Sequence, residues 1–181
     1  MTGIGLHSYC DDNTISGNTA NDNTDWGIDL YECNDNTITG NKISHCIDGI
    51  RLQFNTDSNT ITKNTIKSCT STGINIYDNS DDNTISNNFI AYNDYSVVID
   101  TSDCGGNTFY HNNFTQNKYN AIDDGTSNNW DNGYIIIATT TLSRETPQTT
   151  TRKMGYIYII IATTTLSRET PQTTTRKMGY I

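Results

Sequence analysis

Asp100 and Asp124 are two carboxylates 24 residues apart in a chain that repeats itself every 23 or 24 residues. If they occupy the same place in successive repeats, their side chains stack one repeat apart. Glycoside hydrolysis uses two carboxyl groups about 5–10 Å apart, so this pair is the best candidate for acid–base chemistry. A second set has the composition to bind rather than cut. Asp29, Arg51 and Asn75 recur at one repeat position, and Tyr31, Gln53 and Tyr77 at another two residues further on. A sugar ring lays its C–H face on an aromatic side chain while amides and charges take its hydroxyls. A mixed, solvated sheet face has the same composition, and the two readings stand side by side.

The repeats that must position these residues are explicit. DNTISGN (Asp12 to Asn18) returns as DNTITGN from Asp35, SNTITKN from Ser58, DNTISNN from Asp82 and GNTFYHN from Gly106. Its leading Asn falls at Asn13, Asn36, Asn59, Asn83 and Asn107, and its second at Asn18, Asn41, Asn64, Asn88 and Asn112. A further signature keeps the same step: GIGL from Gly3, GIDL from Gly27, GIRL from Gly49, GINI from Gly73 and SVVI from Ser96. A period of this length marks a solenoid, in which stacked repeats build one continuous core.

Within a repeat the apolar positions alternate with period two, the mark of strands rather than helices. Ile28 with Leu30, Ile50 with Leu52 and Ile74 with Ile76 share a face. Ile38, Ile61 and Ile85 then sit between hydroxyl residues, and Ile43, Ile66, Ile90 and Phe114 follow five positions on. Three short strands per repeat predict an all-β fold, a single-stranded parallel β-helix of about five rungs. Like residues then stack about 4.8 Å apart. The recurrent Asn is expected to hold the left-handed corner and to form a hydrogen-bonded amide ladder from rung to rung. The recurrent Gly is expected to let the chain turn.

The cysteines follow the same lattice. Cys10, Cys33 and Cys104 precede the leading Asn by three residues, and Cys46 and Cys69 follow the second Asn by five. They read as small residues in stacked turns. Cys10 with Cys33 and Cys46 with Cys69 also have a separation compatible with a disulfide, which would leave Cys104 over. No CxxC or Cys/His zinc spacing is present.

The body through Gly133 carries a net charge of −13 and each tail copy +2, within an overall −9. Tyr134 to Ile157 recurs without a change as Tyr158 to Ile181. Residues 1–133 therefore read as the β-helix domain and 134–181 as a duplicated, irregular or strand-prone tail (134–157 and 158–181). Each copy opens with the apolar, β-branched YIIIATTTL, so self-association through end rungs or tail is expected. The acidic body argues against nucleic acid, and no apolar run is long enough for a membrane span. Met1 runs almost directly into the first repeat. The expectation is a fragment, or a reading frame without its upstream export signal.

The pattern GIxLxxxxxNTIxGNxI, from Gly3 to about Tyr134, resembles the NosD-like right-handed β-helix repeats, also described as carbohydrate-binding and sugar-hydrolysis domains. Such repeats are abundant in surface proteins of methanogenic archaea. NNWDNGY (Asn128 to Tyr134) is similar to the segment that closes them. The resemblance implies an extracellular or cell-surface protein whose partners are polysaccharide or envelope components. It also raises maturation of a copper enzyme. Copper favours His, Cys and Met, yet His7, His45 and His111 fall at three different repeat positions and Met1, Met154 and Met178 outside the repeats. No metal ligands or cofactor are assigned. Calcium is left open by the corner acids Asp12, Asp35, Asp57, Asp82 and Asp103. The GHG, RxK and DPHD motifs of related β-helix enzymes are missing. The resulting expectation is a non-catalytic module that binds glycans or builds the envelope. The alternatives are a polysaccharide lyase or hydrolase and a copper-site maturation protein.

Overall fold

A computed structural model describes residues 1–130 and 136–138. Among them there is no helix, and three strands form each coil of a parallel β-solenoid. The first coil holds β1 (Ile4–His7), β2 (Thr14–Ser16) and β3 (Thr19–Asn21), and the second β4 (Trp26–Tyr31), β5 (Thr37–Thr39) and β6 (Lys42–Ser44). The third holds β7 (Asp48–Gln53), β8 (Thr60–Thr62) and β9 (Thr65–Lys67), and the fourth β10 (Thr72–Tyr77), β11 (Thr84–Ser86) and β12 (Phe89–Ala91). The fifth comprises β13 (Tyr95–Ile99), β14 (Thr108–Tyr110) and β15 (Asn113–Thr115). Beyond it lie β16 (Tyr119–Asp123), β17 (Asn129–Trp130) and β18 (Ile136–Ala138). Each strand pairs in parallel with its equivalent one coil away, giving three six-stranded sheets.

The core is a set of stacked columns. Ile28, Ile50, Ile74 and Val97 form one, and Ile38, Ile61, Ile85 and Phe109 another, all with no exposed surface. In the second column the period-two spacing puts each between two outward residues, as Thr60 and Thr62 flank Ile61. Trp130 continues the second column, its ring 4.0 Å from that of Phe109 and within 8° of parallel.

The expected amide ladders are present, and they run through the interior. The backbone N–H of Asn36 donates to Asn59 Oδ1 at 2.8 Å, that of Asn59 to Asn83 Oδ1 at 2.8 Å, and that of Asn83 to Asn107 Oδ1 at 2.9 Å. Asn41, Asn64, Asn88 and Asn112 form a second ladder of the same kind. Each ladder amide also uses Nδ2, as where Asn88 donates to Ile61 O at 2.9 Å. Backbone groups at inner corners thereby find partners without water.

Two local expectations are corrected. The left-handed residues at the corners are not the ladder Asn but those just before them: Asp12, Asp35, Ser58 and Asp82 before the first ladder, Gly17, Gly40, Lys63 and Asn87 before the second. The ladder residue points inward, so its neighbour takes the bend. Nor does the recurrent Gly serve as a turn. A Cβ on Gly27 would lie 2.3 Å from Ile43 Cγ2, and one on Gly49 2.3 Å from Ile66 Cγ2. Glycine is needed there because the first and third sheets touch.

Of the tail, only β18 is described. It pairs with β15, Ile137 opposite Phe114, so the third sheet runs past Gly133. The remainder of 134–181, including the rest of both YIIIATTTL segments, lies outside the described residues, as do residues 131–134 of NNWDNGY.

An outer ladder crosses the first corner: the N–H of Asp57 donates to Asn34 Oδ1 at 2.7 Å and that of Asp81 to Asp57 Oδ1 at 2.8 Å. Burial pushes the Asp57 carboxyl above its ordinary range. The N–H of Asp81 acts against this, while the charges of Asp81, Asp82 and Asp35 add to it. A raised carboxyl contributes stability that is fully present below its unfolded value and lost as pH rises through the folded one. Asp57→Asn keeps the acceptor, as Asn34 does one coil below, and removes the charge. After solvent screening, it is expected to stabilise the fold by about 0.5 kcal/mol at pH 7. The gain should vanish below about pH 3, where the carboxyl is neutral. Urea unfolding at the two pH values checks this. In the core, Ile61→Asp should abolish folding by burying an unpaired charge. Thr62→Asp, on the outward side, should change stability by no more than about 0.5 kcal/mol. Circular dichroism of the two variants distinguishes these outcomes.

Candidate functional site

The register of the first sheet brings the predicted binding residues together. Gly5, Asp29, Arg51, Asn75, Val98 and Ile122 form one outward column. His7, Tyr31, Gln53 and Tyr77 form the next. At its far end Asp100 and Asp124 follow β13 and β16 and are both exposed. Their backbone N–H groups donate to Ile76 O and Ile99 O, one coil apart, as the repeat spacing required.

The polar members of the face are engaged with one another. Asp29 is completely buried although its column faces outward. Arg51 Nε donates to its Oδ1 at 2.7 Å and Gln53 Nε2 to the same oxygen at 3.0 Å. Tyr77 donates its hydroxyl to Gln53 Oε1. Burial pushes the Tyr77 phenol above its ordinary value, against the pull of the Arg51 charge. The other oxygen of Asp29 has no hydrogen-bond donor, and His7 Nε2 stands 3.6 Å away. Gly5 leaves room for that imidazole, since a Cβ there would lie 3.0 Å from Nε2.

Aromatic side chains cover this network. His7 stacks on Tyr31 with ring centres 6.0 Å apart, Tyr31 meets Phe54 at 4.8 Å, and Phe54 meets Tyr77 at 6.5 Å. The Arg51 guanidinium lies 3.1 Å from the ring centre of Trp26 and 5.8 Å from that of Tyr77. The result is a strip of aromatic surface over four coils, fixed from beneath by a buried ion pair. Phe54 and His7 are its most exposed members.

Trp26 and Phe54 were not legible as part of this face. Strict alternation back from Ile28 and Leu30 turns Trp26 inward. Gly27, however, faces the core beside Ile28, and Trp26 falls on the outer side. Phe54 lies just past β7, in a left-handed conformation with φ of 57°. The usable signal for Trp26 is the Gly–Ile pair, in which both residues face the core.

The family described as "Periplasmic copper-binding protein (NosD)" matches residues 1–151. The chain belongs to the NosD family. No curated protein and no solved structure matches it. The NosD description raises the question of metal ligands. Among the described residues no three His, Cys, Asp or Glu side chains converge. His7 faces Asp29, His45 faces Asp22 at 3.7 Å, and His111 meets the ring of Tyr110. All five cysteines are free thiols, four of them buried in the coil interior. These donors do not fit a copper centre. Among the described residues no helix is long and apolar enough to cross a membrane.

Arg51→Met would strand the buried Asp29 carboxylate and should destabilise the fold by about 3–5 kcal/mol. Adding Asp29→Asn removes the stranded charge and should recover most of the loss. Denaturant midpoints of both variants and the wild type measure the coupling.

Proposed function

We propose that the chain is a non-catalytic glycan-binding module of an exported protein, and that the outward face of the first sheet is its binding surface. The observation that carries this reading is the aromatic strip His7–Tyr31–Phe54–Tyr77, held from below by Asp29, Arg51 and Gln53. A fixed strip binds with little loss of side-chain freedom, and its flat faces suit the C–H faces of sugar rings. The Tyr77 hydroxyl, the rim of Arg51 and the His7 imidazole supply polar contacts beside them. The coil axis gives an extended ligand a straight track, one coil every ~4.8 Å. Polysaccharide or envelope components outside the cytoplasm are the ligands this surface suits, in keeping with the periplasmic description of the family.

The carboxylates support the non-catalytic reading. Asp29 is sealed beneath Arg51 and His7, where no substrate oxygen reaches it. Asp100 and Asp124 are exposed at the far end of the face, and no cation among the ion pairs of the described residues orients either. Asn75, the remaining predicted contact, lies between Arg51 and Val98.

A glycan array, probed with and without calcium, tests the proposal. Tyr31→Ala and Tyr77→Ala should each weaken binding about tenfold or more, a loss of roughly 1.5 kcal/mol per stacking ring, and leave the β-sheet circular dichroism unchanged. Binding indifferent to both substitutions would move the site elsewhere. Release of oligosaccharide, abolished by Asp100→Asn or Asp124→Asn, would establish the enzymatic alternative.

A further inference from the structure

Cys46 and Cys69 follow β6 and β9 and occupy the same place in the second and third coils, three residues beyond the paired Ile43 and Ile66. The same column holds Asn23 in the first coil, Asn93 in the fourth and Asn117 in the fifth. It is a third interior ladder: the N–H of Cys69 donates to Asn93 Oδ1 at 2.9 Å, and that of Asn93 to Asn117 Oδ1 at 2.9 Å. Both thiols are buried, Cys46 Sγ donating to Ser44 O at 3.3 Å and Cys69 Sγ to Lys67 O at 3.8 Å.

Asparagine would serve this ladder better at both positions. Asn23 Nδ2 is buried without an acceptor, because Cys46 places a thiol where the other ladders place an amide oxygen. In the column of Cys10, Cys33 and Cys104 the other members are the hydroxyls of Thr56 and Ser80, and a thiol is an ordinary member there. Only at 46 and 69 do two adjacent cysteines break an amide ladder. Something must offset the lost hydrogen bond, and two thiols one coil apart have one chemistry that an amide lacks.

We propose that Cys46 and Cys69 form a disulfide that staples the second coil to the third. The coil spacing of ~4.8 Å lies within the Cα separation of about 4.4–6.8 Å that disulfides span. The staple lies directly under the candidate face. Cys46 Sγ is 3.2 Å from where a Cβ on Gly27 would stand, and Cys69 Sγ 3.5 Å from that of Gly49. Those glycines lead into the segments carrying Asp29 and Arg51, so the bond fixes the two strands whose ion pair supports the aromatic strip. An oxidising compartment, such as the periplasm of the family description, preserves such a bond.

The reaction needs a small-molecule or protein disulfide as oxidant. Cys46, the more acidic thiol because the neighbouring Cys69 side chain lowers its pKa, attacks one sulfur of that disulfide as the thiolate. The reagent's S–S bond breaks and one of its thiols leaves, taking up a proton. Cys69 then loses its proton and attacks Cys46 Sγ in the mixed disulfide. The new S–S bond forms as the second reagent thiol leaves. Two electrons and two protons pass to the oxidant.

The test refolds the full 181-residue chain with oxidised or with reduced glutathione, alkylates the remaining thiols and maps peptides by mass. With oxidised glutathione two of the five thiols should escape alkylation, Cys46 and Cys69 should appear in one linked peptide, and the thermal midpoint should rise. The double variant Cys46→Asn/Cys69→Asn restores the amide ladder. It should fold with the same spectrum and show the same midpoint under both conditions. Alkylation of all five thiols after oxidative refolding overturns the proposal, as does a link joining any other pair in its place. Neither readout depends on glycan binding, so failure of that reading leaves this one standing.

Discussion

A backbone N–H at an inner corner of a solenoid has no strand partner and no water, and everything else in this protein depends on how that group is satisfied. The solution is a side-chain oxygen from the next coil. Asn13, Asn36, Asn59, Asn83 and Asn107 each donate their N–H to the Oδ1 of the ladder residue one coil further on, ending at Asn128. Each bond is worth about 1 kcal/mol net, but leaving a buried N–H unpaired costs about 1–3 kcal/mol. The ladder therefore acts mainly by exclusion. A coil without a ladder residue leaves its neighbour's buried N–H unpaired, and a strand shifted by one residue would turn that residue outward. Register, coil height and the outward columns of the first sheet follow from it.

The ladders also explain composition that could pass for functional chemistry. At the outer corner Asp11, Asn34, Asp57 and Asp81 form a row in which the bonds run the other way, each accepting from the N–H of the next coil, at Asn34, Asp57, Asp81 and Gly105 in turn. Asp and Asn both serve there because only the acceptor oxygen is required. Of the corner acids that left calcium open, Asp57 thus has a backbone donor already in place. The thiols follow the same rule, as where the N–H of Ser80 donates to Cys104 Sγ. Oxygen from amide, carboxylate or hydroxyl, and sulfur from a thiol, all meet one demand of the backbone.

How much was legible depended on whether a residue answered to the repeat or to its neighbours in space. Ile61, Asn64 and Phe114 answer to the repeat, and their burial could be read directly. So could the gathering of Asp29, Tyr31, Arg51, Gln53, Asn75 and Tyr77 on one face, since period two and the coil spacing fix it. The burial of Asp29 could not. It arises because Gly5 lets His7 fold over it and because Arg51 reaches down from the next coil. Trp26 was hidden by the inward Gly27, and the left-handed bends were misplaced by one residue because sequence shows the Asn but not which way it faces.

The ends of the stack show the same physics acting on a residue that breaks the pattern. The column Leu30, Leu52, Ile76 and Ile99 is continued in the last described coil by Asp123, a carboxylate at a core position. Among the described residues no further strand pairs with β16 in the first sheet. Asp123 accepts from Trp130 Nε1 at 2.7 Å, Asn128 Nδ2 at 2.9 Å and the Gly125 N–H at 3.0 Å. Asn128 is the ladder residue that receives Asn107, and Trp130 is the ring that covers Phe109. One carboxylate thus ties the end of an amide ladder to the end of an apolar column. Asp124, its neighbour in sequence, is exposed. Two adjacent aspartates of the same type therefore have opposite meanings. The alternation of the strand puts one inside as a structural acceptor and leaves the other free at the edge of the candidate face.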